Sequence, residues 1–200
     1  MEKEKPALLI IDMINDYFNE SENMPITGFG KAIIPCINRM IRHFHERDWP
    51  VVFSTDAFEA EDFFFTGKMR PHAISETKGA QVIDALDKQD HDYWLPKPRM
   101  SAFFKTGLEK WLRERSVTLC AVGGLATPFC VLTTVLDAIN HDFKGVLLSD
   151  CSAAATKIAH EHTVGTYRRN VLYPLLRVMT SDELTTTLPL ADDLARTRRD

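Results

Sequence analysis

The sequence predicts an α/β fold in three layers, α/β/α, built on a doubly wound, mostly parallel, six-stranded sheet of the Rossmann-like kind. Apolar, β-rich runs alternate with segments of helical periodicity, which is typical of a parallel sheet with helices on both faces. The first run, Ala7 to Ile11, is apolar at every position, as expected of a central strand without a solvent-facing side. Polar residues follow several runs directly, at the edge where such sheets bind ligands.

The amino-terminal quarter predicts a strand, a loop, a helix and a second strand. The run at 7–11 ends at Asp12, and a polar and aromatic loop follows it. Apolar residues three and four positions apart predict a helix over 31–46. Pro35 has to lie in the first turn of that helix, because its ring would disrupt a helix interior. The run at 49–55 predicts the second strand.

The middle of the chain contains a long irregular stretch, residues 57–79. Its aromatic content, above all Phe63 to Phe65, speaks against disorder. We expect this stretch to line a pocket or to pack on a partner subunit. A short helix at 80–86, a third strand at 93–95 and a helix at 104–115 are predicted after it.

The most informative stretch is 117–142. An apolar strand at 117–122 leads into two glycines that permit a sharp turn. Thr127 is the predicted N-cap of a helix and Pro128 its first residue. Cys130 would then lie in the first helical turn, where free N–H groups and the helix dipole favour a thiolate and can hold an oxyanion. A small buried structural cysteine is the alternative interpretation.

The rest of the chain continues the alternation. A strand, a helix, a strand and a short helix are predicted at 143–148, 158–170, 175–179 and 181–188. Ser181 is the expected cap of the last helix. Without a linker or repeat, residues 1–190 are predicted to form a single domain, and 191–200 a polar tail.

Composition excludes several classes of function. The formal net charge is −4 and there is no basic stripe, which argues against a dedicated nucleic-acid binder. No apolar run approaches the roughly 20 residues that span a bilayer, and the start of the chain is not a secretory signal. The four cysteines lack metal-ligand spacing, so we predict reduced thiols in a cytoplasmic protein without membrane contact.

Several polar residues fall at the predicted carboxyl ends of strands. They are Asp12, Asp56, Lys97, Cys130 and Asp150. Taken singly, each has an ordinary structural explanation, such as a loop-capping aspartate or a surface lysine. Because the carboxyl ends of parallel strands meet at one edge of a sheet, the set together predicts a site there.

The segments that carry these residues resemble the isochorismatase-like cysteine hydrolases, which include nicotinamidases and N-carbamoylsarcosine amidases. The matching segments occur in the family's order and cover residues 7–18, 94–103, 123–139 and 146–154. The resemblance implies the isochorismatase-like version of the predicted fold. It also implies an enzyme that hydrolyses C–N bonds other than peptide bonds, with a small-molecule amide as substrate.

The resemblance further implies an Asp–Lys–Cys triad at Asp12, Lys97 and Cys130. Asp12 would accept the thiol proton, Lys97 would stabilise the charged forms, and Cys130 would form a thioester with the substrate. A cis peptide is implied at Leu125–Ala126. The oxyanion hole would consist of the N–H groups of Ala126 and Cys130.

The resemblance also suggests which residues contact the substrate. Tyr17 or Phe18 would flank it, although Phe18 is equally well explained as a core aromatic. Arg99 could clamp a substrate carboxylate or be a solvated surface residue. His72 could line the pocket wall by hydrogen bonding.

The chain departs from nicotinamidases at the motif that holds their divalent metal. Their Asp-x-His pair reads Asp56-Ala57-Phe58 here, while His72 stands in the place of the later histidine. Two ligands do not complete a metal site, so we predict that no metal is required, with one near Asp56 and His72 as the open alternative.

Two other functions remain open at the sequence level. One is vinyl-ether hydrolysis of the isochorismatase type, led by Asp12 as the acid. The other is a non-catalytic metabolite-binding protein on the same fold. A homodimer or homotetramer is expected, because the aromatic run 63–65 is costly to leave in water and because members of the family that the chain resembles commonly assemble as dimers or tetramers.

Overall fold

One parallel sheet runs through the molecule, whose computed structural model describes residues 4–22 and 24–188. Its strands are β1 (Pro6–Ile11), β2 (Val51–Asp56), β3 (Tyr93–Lys97), β4 (Leu119–Leu125), β5 (Lys144–Ala153) and β6 (Leu176–Met179). Their order is β3-β2-β1-β4-β5-β6, and every neighbouring pair is parallel. The chain winds outward from β1 in both directions, which confirms the doubly wound α/β prediction.

Helices cover both faces of this sheet. They are α1 (Asn15–Phe18), α2 (Ile26–His45), α3 (Leu108–Glu114), α4 (Leu132–Asn140), α5 (Lys157–Arg168) and α6 (Ser181–Thr187), and a one-turn π-helix (Thr127–Val131) leads into α4. Leu8 and Ile10 of β1 pack in the core on the α2 side, whereas Leu9 and Ile11 pack in the core on the α3 and α4 side. Alternate residues of one strand thus supply both cores, which explains its unbroken apolar run.

Some predicted element boundaries are wrong. Helix α2 begins at Ile26, so Pro35 lies inside it and not in its first turn. An interior proline costs about 3 kcal/mol. Five large apolar side chains of α2 are buried (Ile33, Ile37, Met40, Ile41 and Phe44) and outweigh that cost, since burial of each contributes about 1.5–3 kcal/mol. The helix predicted at 80–86 does not form. A 3-10 turn at Lys78–Ala80 ends where that helix was expected to begin.

The cap of α6 also differs from the prediction. Thr180 is the N-cap, and its hydroxyl accepts the Glu183 N–H at 3.2 Å while the Glu183 carboxylate accepts the Thr180 N–H at 2.7 Å. This reciprocal pair is a capping box. Ser181 instead donates its hydroxyl hydrogen to Asp150 at 2.6 Å.

The prediction of four reduced cysteines is wrong for two of them. Cys36 of α2 and Cys151 of β5 form a disulfide, while Cys120 and Cys130 are free. The partners are 115 residues apart in sequence and meet only because α2 packs on β5. The predicted domain end at 190 and the polar tail at 191–200 lie outside the described residues. No helix in the described part of the chain is long and apolar enough to cross a bilayer.

Candidate active site

Three neighbouring strands bring two acids and a lysine to the carboxyl edge of the sheet. Asp56 and Lys97 are register partners at the ends of β2 and β3. Asp12 follows β1, and its backbone N–H donates to the Ser54 carbonyl of β2 at 2.9 Å. The convergence predicted from the strand ends is therefore present for these three residues.

Lys97 is buried between the two carboxylates. Its Nζ donates to Asp12 Oδ2 at 2.9 Å and pairs with Asp56 Oδ1, and its side chain has no exposed surface. Burial alone would lower the pKa of this lysine, but the charges of Asp12 and Asp56 raise it above its usual range. The lysine therefore stays an ammonium ion.

The Asp12 carboxyl has an unusual protonation equilibrium. Burial, followed by the charge of Asp56, raises its pKa to about 7, although Lys97 acts in the opposite direction. The physical cause is that one ammonium cannot neutralise two buried carboxylates. At neutral pH Asp12 can therefore both accept and release a proton, as a general acid–base group must.

The fourth strand delivers the cysteine. Strand β4 ends at Leu125, the Leu125–Ala126 peptide is cis as the resemblance implied, and the π-helix that follows contains Cys130. Gly124 has φ +114°, and a Cβ there would overlap the Ile11 carbonyl oxygen. Only glycine permits this close approach of β4 to β1.

This turn brings Cys130 to the two acids. Its Sγ lies within 4.8 Å of carboxylate oxygens of Asp12 and Asp56. The residue as a whole is partly exposed, but the thiol group itself is largely buried. The sulfur thus lies beside the acids and is not aimed away from them. Asp12, Lys97 and Cys130, predicted from separate stretches of sequence, lie together.

The surroundings of Cys130 favour the thiol over the predicted thiolate. Burial, together with the charges of Asp12 and Asp56, raises the pKa of the Cys130 thiol well above its usual range, although Lys97 acts in the opposite direction. The local geometry differs too, because Ala126 is the N-cap position and Thr127 makes no capping hydrogen bond. A base must therefore remove the thiol proton before or during attack.

His160 is a residue at this site that the sequence did not indicate. Its Nδ1 lies 2.9 Å from the Thr127 hydroxyl, and Thr127 is fully buried. Partial burial lowers the pKa of His160, which favours a neutral ring. Helix α5 thereby contacts the turn that presents Cys130. No spacing in the sequence distinguishes this histidine from a surface one, and the hydrogen bond joins residues 33 positions apart.

One wall of the site consists of Tyr17 and His72. The Tyr17 hydroxyl lies 2.9 Å from His72 Nε2 and 3.5 Å from Asp56 Oδ2. Burial, followed by the charges of Asp56 and Asp12, raises the pKa of the Tyr17 phenol, so it stays neutral. His72 Nδ1 lies 2.8 Å from the Arg70 carbonyl oxygen, which can only accept, so Nδ1 carries the ring proton. The single hydrogen of the Tyr17 hydroxyl is donated either to Asp56 Oδ2 or to His72 Nε2.

The other two predicted substrate contacts lie elsewhere. Phe18 packs against Gly30 of α2, as a core aromatic does. Arg99 pairs with Asp62 at 3.0 Å, and its guanidinium lies 5.0 Å from the centre of the Phe64 ring. A substrate carboxylate would have to share or displace Asp62.

The aromatic run within 57–79 is largely packed inside the chain. Phe64 and Phe65 lie with their ring centroids 5.7 and 5.5 Å from that of Phe58, which is buried. Phe63 is the exception, with 71% of its surface exposed. Most of the aromatic side chains of this stretch therefore pack on one another within the chain.

The residues present do not fit the metal site of nicotinamidases. Phe58 cannot ligate, and its ring stands 5.5 Å from that of His72, whose Nε2 is bonded to Tyr17. Asp56 is bound to Lys97. Oxygen atoms of Asp12 and Asp56 do lie near Cys130 Sγ, but the Lys97 ammonium already provides the positive charge between these carboxylates.

Solved structures share this architecture. The chain is similar to N-carbamoylsarcosine amidase from Thermoplasma acidophilum, with a TM-score of 0.76, 26% sequence identity, and coverage of 90% of this chain and 98% of that one. It is also similar to pyrazinamidase of Pyrococcus horikoshii in complex with zinc, with a TM-score of 0.75, 25% identity, and coverage of 88% and 99%. Zinc is thus present in one structural neighbour whose fold this chain shares.

Sequence relatives agree with the structural ones. A protein of Arabidopsis thaliana described as a probable inactive nicotinamidase is 33% identical over 166 residues, which are 77% of this chain and 83% of that protein. A ureidoacrylate amidohydrolase of Cronobacter turicensis is 27% identical over 176 residues, 76% of each chain. The model of the isochorismatase domain matches residues 6–183. The chain therefore belongs to the isochorismatase family of hydrolases.

Proposed function

We propose that this protein hydrolyses a C–N bond of a small amide by way of a thioester. The observation that carries the proposal is the meeting of Asp12, Lys97 and Cys130 at one edge of the sheet, with a shared ion pair at 2.9 Å and the sulfur beside both acids. Relatives named as a carbamoylsarcosine amidase and a ureidoacrylate amidohydrolase act on bonds of this class.

The proposed reaction uses one proton carrier. Cys130 Sγ attacks the amide carbon while its proton passes to Asp12. Asp12 then returns the proton to the leaving nitrogen, and the C–N bond breaks to leave a thioester. Water attacks the thioester with Asp12 as base, and the thiol is restored. Lys97 stays charged throughout and stabilises the Asp12 carboxylate.

The same turn supplies the proposed oxyanion hole. Backbone N–H groups of Ala126 and Cys130 would receive the charge that develops on the carbonyl oxygen. Tyr17 and His72 would form the wall beside the leaving group. We further propose that no metal takes part, which the phenylalanine at position 58 and the ion pair of Asp56 support.

The first test replaces the nucleophile. Cys130→Ala should lower hydrolysis of a responsive amide by at least about 1,000-fold, because the thioester cannot form. Cys120→Ala, at the other free cysteine, is the control and should keep activity. Activity is measured across a panel of carbamoyl amino acids and primary amides, with circular dichroism to verify folding. Full turnover by the Cys130 variant would exclude the mechanism.

Two alternatives have their own support. Vinyl-ether hydrolysis needs a protonated acid, and an Asp12 pKa of about 7 leaves a large protonated fraction at neutral pH. Including isochorismate in the same panel separates this function, which Cys130→Ala should spare.

A non-catalytic binding protein is supported by the relative described as probably inactive, and by the raised pKa of Cys130. No turnover on any compound of the panel would favour it.

The expected homodimer or homotetramer stays a proposal. Large apolar side chains are exposed at Phe63, Ile158, Val171 and Tyr173, and a second copy of the chain could cover them. A cytoplasmic location also stays a proposal, and the disulfide removes the support that four reduced thiols would have given it.

A further inference from the structure

A cluster of side chains of the types that can bind a metal ion lies at the opposite edge of the sheet. His45 ends α2, and His91 and Asp92 directly precede β3. One ligand atom from each of the three lies within 4.8 Å of the other two. The far end of β3 carries Lys97, roughly 13 Å along the strand, so this group is separate from the candidate active site.

We propose that His45, His91 and Asp92 form a binding site for a divalent transition-metal ion, with zinc as the ion of reference. Two imidazoles and one carboxylate are the ligand types that zinc accepts, and three protein ligands with water in the fourth position form an open tetrahedral site. Two ligands of one tetrahedral zinc are about 3.4 Å apart, given bonds of about 2.0–2.1 Å.

The measured distances lie on both sides of that separation. His45 Nε2 is 2.8 Å from Asp92 Oδ1, and His91 Nε2 is 3.9 Å from the same oxygen. A zinc ion thus requires shifts of about half an ångström. The His91 side chain is 67% exposed, so little packing opposes its share of these shifts.

The two inner ligands are already held in place. The Asp92 side chain is 1% exposed, and its second oxygen accepts the Gln89 backbone N–H at 2.7 Å, which orients the carboxylate as outer-shell hydrogen bonds do in metal sites. The His45 side chain is 10% exposed, and its Nδ1 has no hydrogen-bond partner among the described residues. Transfer of the ring proton from Nε2 to Nδ1, which frees Nε2 to bind metal, therefore breaks no second hydrogen bond.

A bound ion would join the end of α2 to the loop before an edge strand. Ligands that bind only the folded state raise the melting temperature, so excess zinc should raise that of the wild-type protein by about 5 °C. His91→Ala should melt at the wild-type temperature without metal, because its side chain is exposed, and should lose the zinc-dependent rise. His162→Ala, at an exposed histidine of α5, should keep it.

Stoichiometry and spectroscopy complete the test. Isothermal titration should detect one zinc fewer per chain in His91→Ala than in the wild type. Cobalt as a substitute probe should give a tetrahedral d–d spectrum without the thiolate-to-cobalt band that binding at Cys130 would add. An unchanged melting temperature in the wild type, an equal rise in all three proteins, or loss of the rise in His162→Ala would each overturn the proposal.

Discussion

At the scale of single residues, the protonation of Asp12 decides which chemistry the site can perform. Its pKa of about 7, against an ordinary value of 3.8, results from burial and from the neighbouring Asp56 charge. The folded state therefore binds more protons than the unfolded chain between these values. The shift favours folding at low pH, and this contribution is lost as the pH rises from about 4 to 7.

The same shift predicts the pH dependence of catalysis. Amide hydrolysis needs Asp12 as a base, so kcat/KM should rise with pH and level off above about 7. Vinyl-ether hydrolysis needs Asp12 as an acid and should fall over the same range. Asp56→Asn removes a charge that raises the pKa of Asp12, so its profile should shift to lower pH. Profiles measured on both proteins with the same substrate test this, and an unshifted or upward-shifted midpoint would contradict the assignment.

At the scale of elements, the stretch from β4 to α4 illustrates what local patterns can predict. The apolar strand, the two glycines and the helix start were enough to place Cys130 at the edge of the sheet. The predicted Thr127 cap was wrong because its hydroxyl binds His160 of α5, and no local pattern reports such a contact. Likewise, the sequence placed Asp56 at the edge but not against Lys97, because that pairing depends on the register of β2 and β3.

The close approach of β4 to β1 leads to a test with an internal control. Gly124→Ala places a Cβ against the Ile11 carbonyl at a positive φ, so it should destabilise the fold by about 2–5 kcal/mol. Gly165→Ala lies within α5 with open space around it, and should stabilise by about 0.5–1 kcal/mol. Urea unfolding of both variants measures the difference. Equal stabilities would show that β4 does not pass β1 as described.

At the scale of the whole molecule, the alternation of strands and helices was sufficient to predict the fold class. Each strand is recognisable in the sequence as a run of apolar, β-favouring residues. Because crossovers between parallel strands are right-handed, few arrangements of these strands in one sheet are possible. The disulfide was not predicted, because Cys36 and Cys151 have no informative spacing. Their meeting depends on how α2 lies across β5, which only the packed core determines.

The disulfide is expected to stabilise the folded protein as a whole. It closes a loop between residues 115 positions apart, and such a link restricts the unfolded chain. Reduction should therefore lower the free energy of unfolding by about 2–5 kcal/mol. The Cys36→Ala/Cys151→Ala double variant is the control, because its urea midpoint should not respond to a dithiol reductant.

Thiol titration of the denatured wild-type protein should count two thiols without reductant and four with it, since Cys120 and Cys130 are free. Four thiols in the protein that was never reduced would show that the link does not form in solution.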